Sequence, residues 1–420
     1  MITKADEGLG RIRDGLADLY RDLHQNPELS LQEKRTAGVL LEALQPLGFE
    51  LTEQVGGYGV VGVLRNGDGP TVMLRAEIDA LPVEEKTGLP YASRARAVSE
   101  DGRDVPVMHA CGHDMHATCL VGAATLLAEA KDEWRGTLLV VFQPAEEITR
   151  GAKNMIADGL FERFPKPEIV LGQHVGPLPA GMIGHNSGPV MAAADSVHVT
   201  LHGRGGHGSR PEASIDPVLM AANVVTRLQG IISREVPPSE TAVLTVGSLH
   251  AGTMENVIPD TAELGINMRS FTEGTRTTVR AAVERIVRAE SAASNAVREP
   301  ELTWYGEAPA LVNDPAATAK TVAAFVEHFG QQRVMQTPPV NASEDVGAFG
   351  ASIGVPTVFW FWGGLEPSLV LAALGNGTFD QLPANHSPEF APLIEPTLST
   401  GVQALVVAAT TWLGKPASTP

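Results

Sequence analysis

Three apolar stretches in the first half of the chain each end in side chains that can bind a metal or move a proton. Continuous apolar runs of this length are typical of strands buried on both faces of a sheet. In open α/β sheets, ligands bind beyond the carboxyl ends of the strands. The pattern therefore predicts an α/β domain with its chemistry along one sheet edge. The stretches and their terminal residues are 71–78 with Asp79, 136–142 with Glu146 and Glu147, and 168–173 with His174.

A further group of potential ligands lies in the segment MHACGHDMHAT, residues 108–118. Imidazole, thiolate and carboxylate groups concentrated in this way suit a metal site. Cys111 and His113 are two residues apart, and on a helix such residues do not face each other. If both bind one centre, they lie on a turn before the helix that the apolar spacing predicts over 115–130. Asp114 would then be an N-cap or an orienting carboxylate.

Two other interpretations of this segment stay open from its sequence alone. His109, His113 and His116 have helical spacing and could line one face of a longer helix. Alternatively, Cys111 could be a nucleophile with His113 as its base.

The adjacent acids Glu146 and Glu147 follow a buried strand and a proline. Neighbouring residues that leave a strand point to opposite sides, so the two carboxylates can have different tasks. One can bind a metal while the other accepts a proton from water. The structural alternative is a pair of exposed loop acids.

Residues 193–305 have a different hydrophobic pattern from the chain on either side. Strands with period-two alternation and amphipathic helices follow each other there as strand–helix–strand–strand–helix, which is typical of an α+β domain. The α/β pattern then resumes. We therefore predict one domain from 1–192 and 306–420, with 193–305 inserted. Within the insertion, His207 stands between two glycines, whereas Asn256 and Arg269 are individually unremarkable.

The overall composition excludes several classes of function. The formal net charge of −18 argues against a nucleic-acid or anionic-membrane partner, because both attract basic surfaces. Two cysteines in 420 residues do not make a disulfide framework. No stretch has the length and apolarity of a membrane span, so a cytoplasmic location is expected.

Taken together, ordered motifs along nearly the whole chain resemble the M20 metallopeptidase family. The similarity is to its amidohydrolase subgroup, which includes hippurate hydrolase and the plant hydrolases of auxin–amino acid conjugates. The motifs are Leu23–Ser30, Arg75–Pro82, His109–Asp114, Gln143–Glu147, Gly206–Gly208, Glu255–Asp260, Ser343–Asp345 and Asn385–Pro388.

The resemblance implies a zinc-exopeptidase-like catalytic domain with a mixed central sheet, and an inserted α+β sandwich that serves as lid and dimerisation domain. It implies a site for two divalent ions, for which Mn, Zn, Co and Ni all suit the ligand types. Asp79 would orient a ligand. The residues at the family's metal-binding positions are Cys111, His113, Glu147, His174 and His386.

The reaction implied is hydrolysis of the amide bond of N-acyl amino acids or related conjugates by a metal-activated water. Glu146 matches the general base, and His207 of a partner subunit would stabilise the oxyanion. Asn256 and Arg269 resemble positions that hold the substrate carboxylate or the oxyanion. A homodimer is expected, with a tetramer as the alternative.

Three other functions stay open: an M20-type peptidase or dipeptidase, a thiol amidase that depends on Cys111, and a non-catalytic binding protein on the same fold. Three departures from the subgroup bear on substrate preference. Glu77 replaces the usual Asp, Glu212 replaces a common His, and Val346 replaces an aromatic residue.

Overall fold

The computed structural model describes residues 3–415, and these form a mixed α/β protein, as predicted. None of the described helices is both long and apolar enough to span a membrane. The α-helices are α1 (Thr3–Gln25), α2 (Lys34–Leu44), α3 (His113–Glu129), α4 (Gly151–Ala157), α5 (Leu160–Arg163), α6 (Pro217–Arg234), α7 (Glu273–Ala293), α8 (Pro315–Phe329), α9 (Gly347–Ile353), α10 (Pro367–Asn376) and α11 (Thr397–Trp412).

The strands divide between one large sheet, one four-stranded sheet and several short pairs. They are β1 (Glu50–Val55), β2 (Gly59–Asn66), β3 (Thr71–Glu77), β4 (Arg96–Val98), β5 (Asp104–Pro106), β6 (Gly136–Gln143), β7 (Ile169–Pro179), β8 (Ile183–His185), β9 (Gly188–Met191), β10 (Ala193–His202), β11 (Gly206–His207), β12 (Ala242–Ala251), β13 (Val257–Ile258), β14 (Thr261–Ser270), β15 (Glu301–Ala308), β16 (Leu311–Asn313), β17 (Val334–Gln336) and β18 (Thr357–Leu365).

The chain divides into two compact units. The first contains the described residues up to Gly188, Val312–Pro338 and the residues from Asp345 onward. The second contains Pro189–Leu311 and the short segment Pro339–Glu344. The predicted boundaries at 192/193 and 305/306 differ from this division by a few residues, and the sequence pattern gave no sign that 339–344 belongs with the second unit.

The first unit is built on an eight-stranded sheet of order β1-β2-β6-β3-β7-β18-β8-β17. Strands β6, β3, β7 and β18 run parallel, while β2 is antiparallel to β6 and β8 is antiparallel to β18. The sheet is therefore mixed, as predicted. Its parallel centre places the ends of β3, β6 and β7 at one edge, because Glu77 is opposite Gln143 and Arg75 is opposite Gly172.

Helices α3 and α11 pack on the large sheet with apolar side chains, and α1 packs on these two helices. Helix α3 is rich in Ala, Leu and Val and is buried nearly all round, so it has no solvated face. Burial on every side fixes α3 firmly between its neighbours. Its first residue, His113, is consequently held on a rigid element.

The second unit has an antiparallel sheet of order β12-β14-β10-β15 and the two helices α6 and α7. Buried residues of β10 and β14 pack against Met220, Val224, Val283 and Val287 of these helices. The edge strand β15 was not predicted from sequence, although its first five side chains alternate between exposed and half-buried positions.

Candidate metal centre

A left-handed turn separates Cys111 from helix α3. Gly112 has φ +83° and occupies the N-cap position, and a Cβ atom there would meet Cγ1 of Val175 at 2.4 Å. Glycine is therefore required both for the backbone conformation and for the close approach. Because α3 begins at His113, the alternative of a longer helix lined by three histidines is wrong. Cys111 and His113 lie on a turn.

Asp114 lies inside the first turn of α3 and is not the N-cap. Its Oδ1 accepts a hydrogen bond from the Met115 N–H at 2.8 Å, and its Oδ2 lies 2.6 Å from Nδ1 of His24. Nε2 of His24 lies 3.1 Å from Oε1 of Glu85. The orienting role predicted for Asp114 is therefore directed toward His24.

Glu146 and Glu147 leave β6 through a turn that contains Ala145, a non-glycine residue with φ +52°. Ala145 donates its N–H to Oε1 of the buried Glu33 at 2.8 Å, and Glu147 donates its N–H to Oδ2 of Asp79 at 3.0 Å. Such backbone conformations cost about 1–3 kcal/mol and persist where the surroundings fix them. Both acids are nearly buried, with 8% and 6% side-chain exposure, so they are not exposed loop acids.

His174 and His386 are each oriented by main-chain contacts. Nδ1 of His174 donates to the carbonyl oxygen of Val175 at 2.8 Å, which leaves the lone pair on Nε2. His386 has φ +71° and donates its N–H to the Ala110 carbonyl at 2.8 Å. That hydrogen bond joins the loop of His386 to the segment that carries Cys111.

The five predicted metal ligands come together in the first unit. Sγ of Cys111 lies 3.4 Å from Nε2 of His174, and Nε2 of His386 lies 3.3 Å from Oε2 of Glu147. Nε2 of His113 lies 3.8 Å from Oε1 of Glu147. One ligand atom each from Cys111, His113 and Glu147 lies within 4.8 Å of the others. Oε2 of Glu146 lies 3.9 Å from Nε2 of His113.

Asp79 holds two of these ligands in place. Nδ1 of His113 donates to the main-chain oxygen of Asp79 at 2.8 Å, so Nε2 carries the lone pair that faces the cluster. The Asp79 carboxylate also accepts from Ser30 Oγ at 2.6 Å and from Glu147 N–H. Burial raises the pKa of Asp79, but the bonds from His113 and Ser30 outweigh it and lower that pKa.

The electrostatics of the cluster fit divalent ions. Within residues 3–415, Nε2 of His113 and Oε1 of Glu147 are buried and have no hydrogen-bond partner. Burial lowers the pKa of His113, but Asp79, Glu77 and Glu147 raise it to about 10. These carboxylates therefore favour a positive charge at Nε2, which a bound divalent ion would supply in place of the proton. Burial and His116 hold the pKa of His174 well below its usual range, which keeps that ligand neutral. Neutral imidazoles, carboxylates and a thiol are the donors that Zn, Mn, Co and Ni take.

The same electrostatics disfavour Cys111 as a nucleophile. Burial, followed by the charges of Glu147 and Glu146, raises the pKa of Cys111 well above its usual range. Catalytic thiols need the opposite shift. A bound cation deprotonates a coordinating thiol, so the metal-ligand interpretation of Cys111 is consistent with this position.

Two of the remaining predicted residues are neighbours in the second unit. Gly208 donates its N–H to the main-chain oxygen of Asn256 at 2.8 Å, and His207 pairs with Val257 in a short antiparallel ladder. Both His207 and Asn256 are exposed. Nδ1 of His207 accepts the Ser209 N–H at 3.1 Å, so the neutral ring carries its proton on Nε2.

Arg269 lies in β14 of the second unit and is half-buried. Its Nε donates to Oδ1 of Asn267 at 3.1 Å, and its Nη1 donates to Oγ of Ser343. Among the departures from the subgroup, Glu77 and Val346 are fully buried, whereas Glu212 is exposed beside Arg210.

Asn385 has contacts beside the ligands that its sequence context did not predict. Its Nδ2 donates to the carbonyl oxygens of Cys111, at 3.1 Å, and Val175, at 3.0 Å. Asn385 therefore joins the main chains beside two predicted ligands. Asn385 is next to His386 in a loop with a proline at each end, which was the only hint in the sequence of a role at the metal centre. Asparagine is common in loops for other reasons, so this hint could not specify that role.

Comparison with known proteins identifies the family. The sequence model of peptidase family M20/M25/M40 matches residues 73–407. The chain belongs to this family. It is 37% identical over 361 residues to N-acetyl-L-cysteine deacetylase of Bacillus subtilis, covering 84% of this chain and 82% of the relative. It is 38% identical over 334 residues to hippurate hydrolase of Campylobacter jejuni, covering 79% and 84%.

A solved structure described as a dinuclear metal-binding peptidase of the M20 family, from Bacillus subtilis, has a similar fold. The TM-score is 0.74 at 28% identity, with 96% of this chain and 99% of that chain covered. The M20 resemblance predicted from sequence is confirmed, and the protein is a metal-dependent amidohydrolase of that family.

Proposed function

We propose that this M20 amidohydrolase cleaves the amide bond of N-acyl amino acids or related conjugates. The observation that carries the proposal is the convergence of Cys111, His113, Glu147, His174 and His386 beside the unassigned acid Glu146. The relatives named for N-acetyl-L-cysteine and hippurate support the substrate class, since both compounds are N-acyl amino acids.

The five ligands would hold two divalent ions, chosen from Mn, Zn, Co and Ni. When bound, these ions would lower the pKa of a water molecule and polarise the amide carbonyl. Asp79 keeps the ring of His113 and the backbone of Glu147 oriented for them. The bond from Nδ1 of His174 to the Val175 carbonyl leaves the lone pair on Nε2, which lies 3.4 Å from Sγ of Cys111.

Glu146 is the proposed general base. It is held next to the ligand cluster by a turn that Glu33 fixes through Ala145. Its carboxylate would accept the proton of the attacking water and pass it to the leaving amine. Because Glu147 takes the metal position, Glu146 can change its protonation state during the reaction.

The second unit would supply the oxyanion and carboxylate contacts. The exposed Nε2–H of His207, fixed as a donor by the Ser209 N–H, suits a developing oxyanion. We propose that it acts in the site of a partner subunit, in a homodimer formed through the second unit. Asn256 and Arg269 would hold the substrate carboxylate or the oxyanion. A cytoplasmic location is part of the same proposal.

The test is a hydrolysis panel with the full-length protein, in which N-acetyl, N-benzoyl, indole-acetyl and fatty-acyl amino acids are compared with dipeptides. Each reaction is run with Mn, Zn, Co or Ni and after dialysis against a chelator. We expect turnover of an N-acyl amino acid that the chelator abolishes and the metal restores. Turnover that survives chelation would indicate a thiol amidase, preference for dipeptides would indicate a peptidase, and no turnover would favour a binding protein.

A further inference from the structure

Glu77 is a buried acid that reaches the metal centre from strand β3. Its side chain has 0% exposure, and its Oε1 lies 3.8 Å from Nε2 of His113 and 4.0 Å from Nε2 of His174. Glu77 is not one of the five metal ligands predicted from sequence. The predicted two-metal site therefore has a further anionic oxygen within reach of two of its imidazoles.

Two residues hold the Glu77 carboxylate. Nη1 of the fully buried Arg75 lies 2.8 Å from Oε2, and Nδ1 of His116 lies 3.0 Å from Oε1. Arg75 is fixed in turn by Oε1 of Gln143 at 2.8 Å and by Oδ1 of Asp345 at 3.0 Å.

The protonation of the three histidines around Glu77 follows from their main-chain contacts. His116 accepts the Val175 N–H on Nε2 at 2.9 Å, so the neutral ring has its proton on Nδ1, 3.0 Å from Oε1 of Glu77. His116 therefore has no lone pair left for a metal. His113 and His174 use Nδ1 to donate to carbonyl oxygens, so each carries its lone pair on Nε2, the atom that lies within 4.0 Å of Oε1 of Glu77.

Two lone pairs and an anionic oxygen that face each other in a buried site need positive charge between them. Two atoms that each bind one ion at about 2.1 Å can be no more than about 4.2 Å apart. The distances of 3.8 and 4.0 Å from Glu77 to the two imidazole nitrogens satisfy this limit.

One ligand atom each from Glu77, His113 and His174 lies within 4.8 Å of the others. We propose that His113 and His174 hold one of the two ions and that Oε1 of Glu77 is a further ligand of that ion. Arg75 and His116 set the direction of this carboxylate. Its charge adds to those of Glu147 and a deprotonated Cys111, so the centre would nearly neutralise two divalent ions. An additional carboxylate oxygen favours the harder ions of the candidate set, Mn above all. This inference rests on the proposed two-metal function.

The experiment is calorimetric titration of the chelator-treated, full-length protein with Mn²⁺, together with the visible absorption spectrum of its Co²⁺ form. Wild type is compared with Glu77→Gln, which keeps the shape of the side chain and removes its charge. Glu85→Gln is the matched control, because Glu85 is also a buried acid paired with a histidine but contacts no proposed ligand. Circular dichroism and thermal unfolding report on folding.

We expect wild type and Glu85→Gln to bind two ions per subunit, and Glu77→Gln to bind one of them at least tenfold more weakly. Its Co²⁺ spectrum should change in intensity because one ion loses a ligand. If Glu77→Gln fails to fold, Glu77→Asp keeps the charge beside Arg75 but is one methylene shorter, and the same loss of affinity is expected.

The role of Glu77 would be overturned if Glu77→Gln bound both ions with wild-type affinity and its Co²⁺ spectrum were unchanged. If only Glu77→Asp folds, the same result in that variant would overturn it. Either result would leave the two-metal proposal standing. Failure of the wild-type protein to bind ions would overturn both.

Discussion

Nδ1 of His113 lies 2.8 Å from the main-chain oxygen of Asp79 and 3.2 Å from Oδ1 of the same residue. One residue thus contacts the histidine through both its backbone and its side chain. The other carboxylate oxygen of Asp79 accepts the Glu147 N–H, at 3.0 Å. Asp79 therefore couples the turn that carries one proposed ligand to the ring of another.

Replacement of Asp79 should weaken metal binding without removing a ligand. We expect Asp79→Ala to lower the affinity for at least one ion by about 10–100-fold, because His113 and Glu147 lose a shared support. Ser30→Ala is the control, since it removes one bond to Asp79 but leaves the carboxylate in place. Isothermal titration with Mn²⁺ measures both variants. Equal affinities in Asp79→Ala and wild type would show that Asp79 does not orient these ligands.

Asn385 should contribute to metal affinity and stability together. Asn385→Ala leaves the carbonyl oxygens of Cys111 and Val175 without its amide, at a cost of about 1–3 kcal/mol in the free energy of unfolding. We also expect lower metal affinity, because the backbones beside Cys111 and His174 are no longer joined.

The control for Asn385 is Asn313→Ala, which removes a buried amide bonded to the main chain of Asn186 and Phe359, away from the ligands. Urea unfolding and metal titration measure both variants. Asn313→Ala should lose stability while its metal affinity stays near that of wild type. If Asn385→Ala also lost stability but kept wild-type metal affinity, Asn385 would not support the ligands Cys111 and His174.

The buried His24 should make stability depend on alkaline pH. Burial lowers the pKa of His24, but Asp114 and Glu85 raise it to about 10. Because the folded-state pKa exceeds the value of about 6.5 in an unfolded chain, this stabilisation is complete below that pH and is lost as pH rises through about 10.

We expect the wild-type free energy of unfolding to fall by about 3–5 kcal/mol more than that of His24→Gln over this range. Urea unfolding of both proteins at a series of pH values measures the difference. Parallel curves for the two proteins would contradict the assignment of a charged His24 between the two acids.

His207 should affect turnover but not metal content. His207→Ala removes the exposed Nε2–H that we assign to the oxyanion, and kcat should fall by about 10²–10³-fold. Metal content, measured by elemental analysis, should match wild type. His198→Ala is the control, because His198 is a half-exposed histidine of the same unit without a proposed role. Full activity of His207→Ala would refute the oxyanion role.

The edge of the large sheet and most of the ligand cluster could be predicted from sequence. Strands β3, β6 and β7 are continuous apolar runs, and parallel strands bring their ends together, so the proximity of Asp79, Glu147 and His174 followed from the pattern. The turn at Cys111 followed from the sequence on the condition that Cys111 and His113 bind one centre, because residues two apart do not share a helix face.

The role of Glu77 could not be read from the same pattern. Strand β3 is buried on both faces, so it has no period-two alternation to show which way Glu77 points. His24 contacts Glu85, which lies more than 60 positions away in the sequence. Asn385 contacts Val175, more than 200 positions away. Contacts this distant in sequence leave no local pattern from which to predict them. Helix α10 was not predicted from sequence, because its apolar residues do not form one stripe. Val370 and Ala373 are buried, whereas Leu369, Leu371 and Leu374 are exposed.

The central claim is that Glu146 moves the proton while Glu147 and the other four residues hold the ions. The most direct test is Glu146→Gln, assayed for kcat on the best substrate of the panel and for bound metal in the same preparation, with Glu147→Gln as comparison. We predict that Glu146→Gln loses at least about 10²–10⁴-fold in kcat and keeps both ions, whereas Glu147→Gln loses metal. Loss of metal from Glu146→Gln, or turnover near that of wild type, would contradict the account.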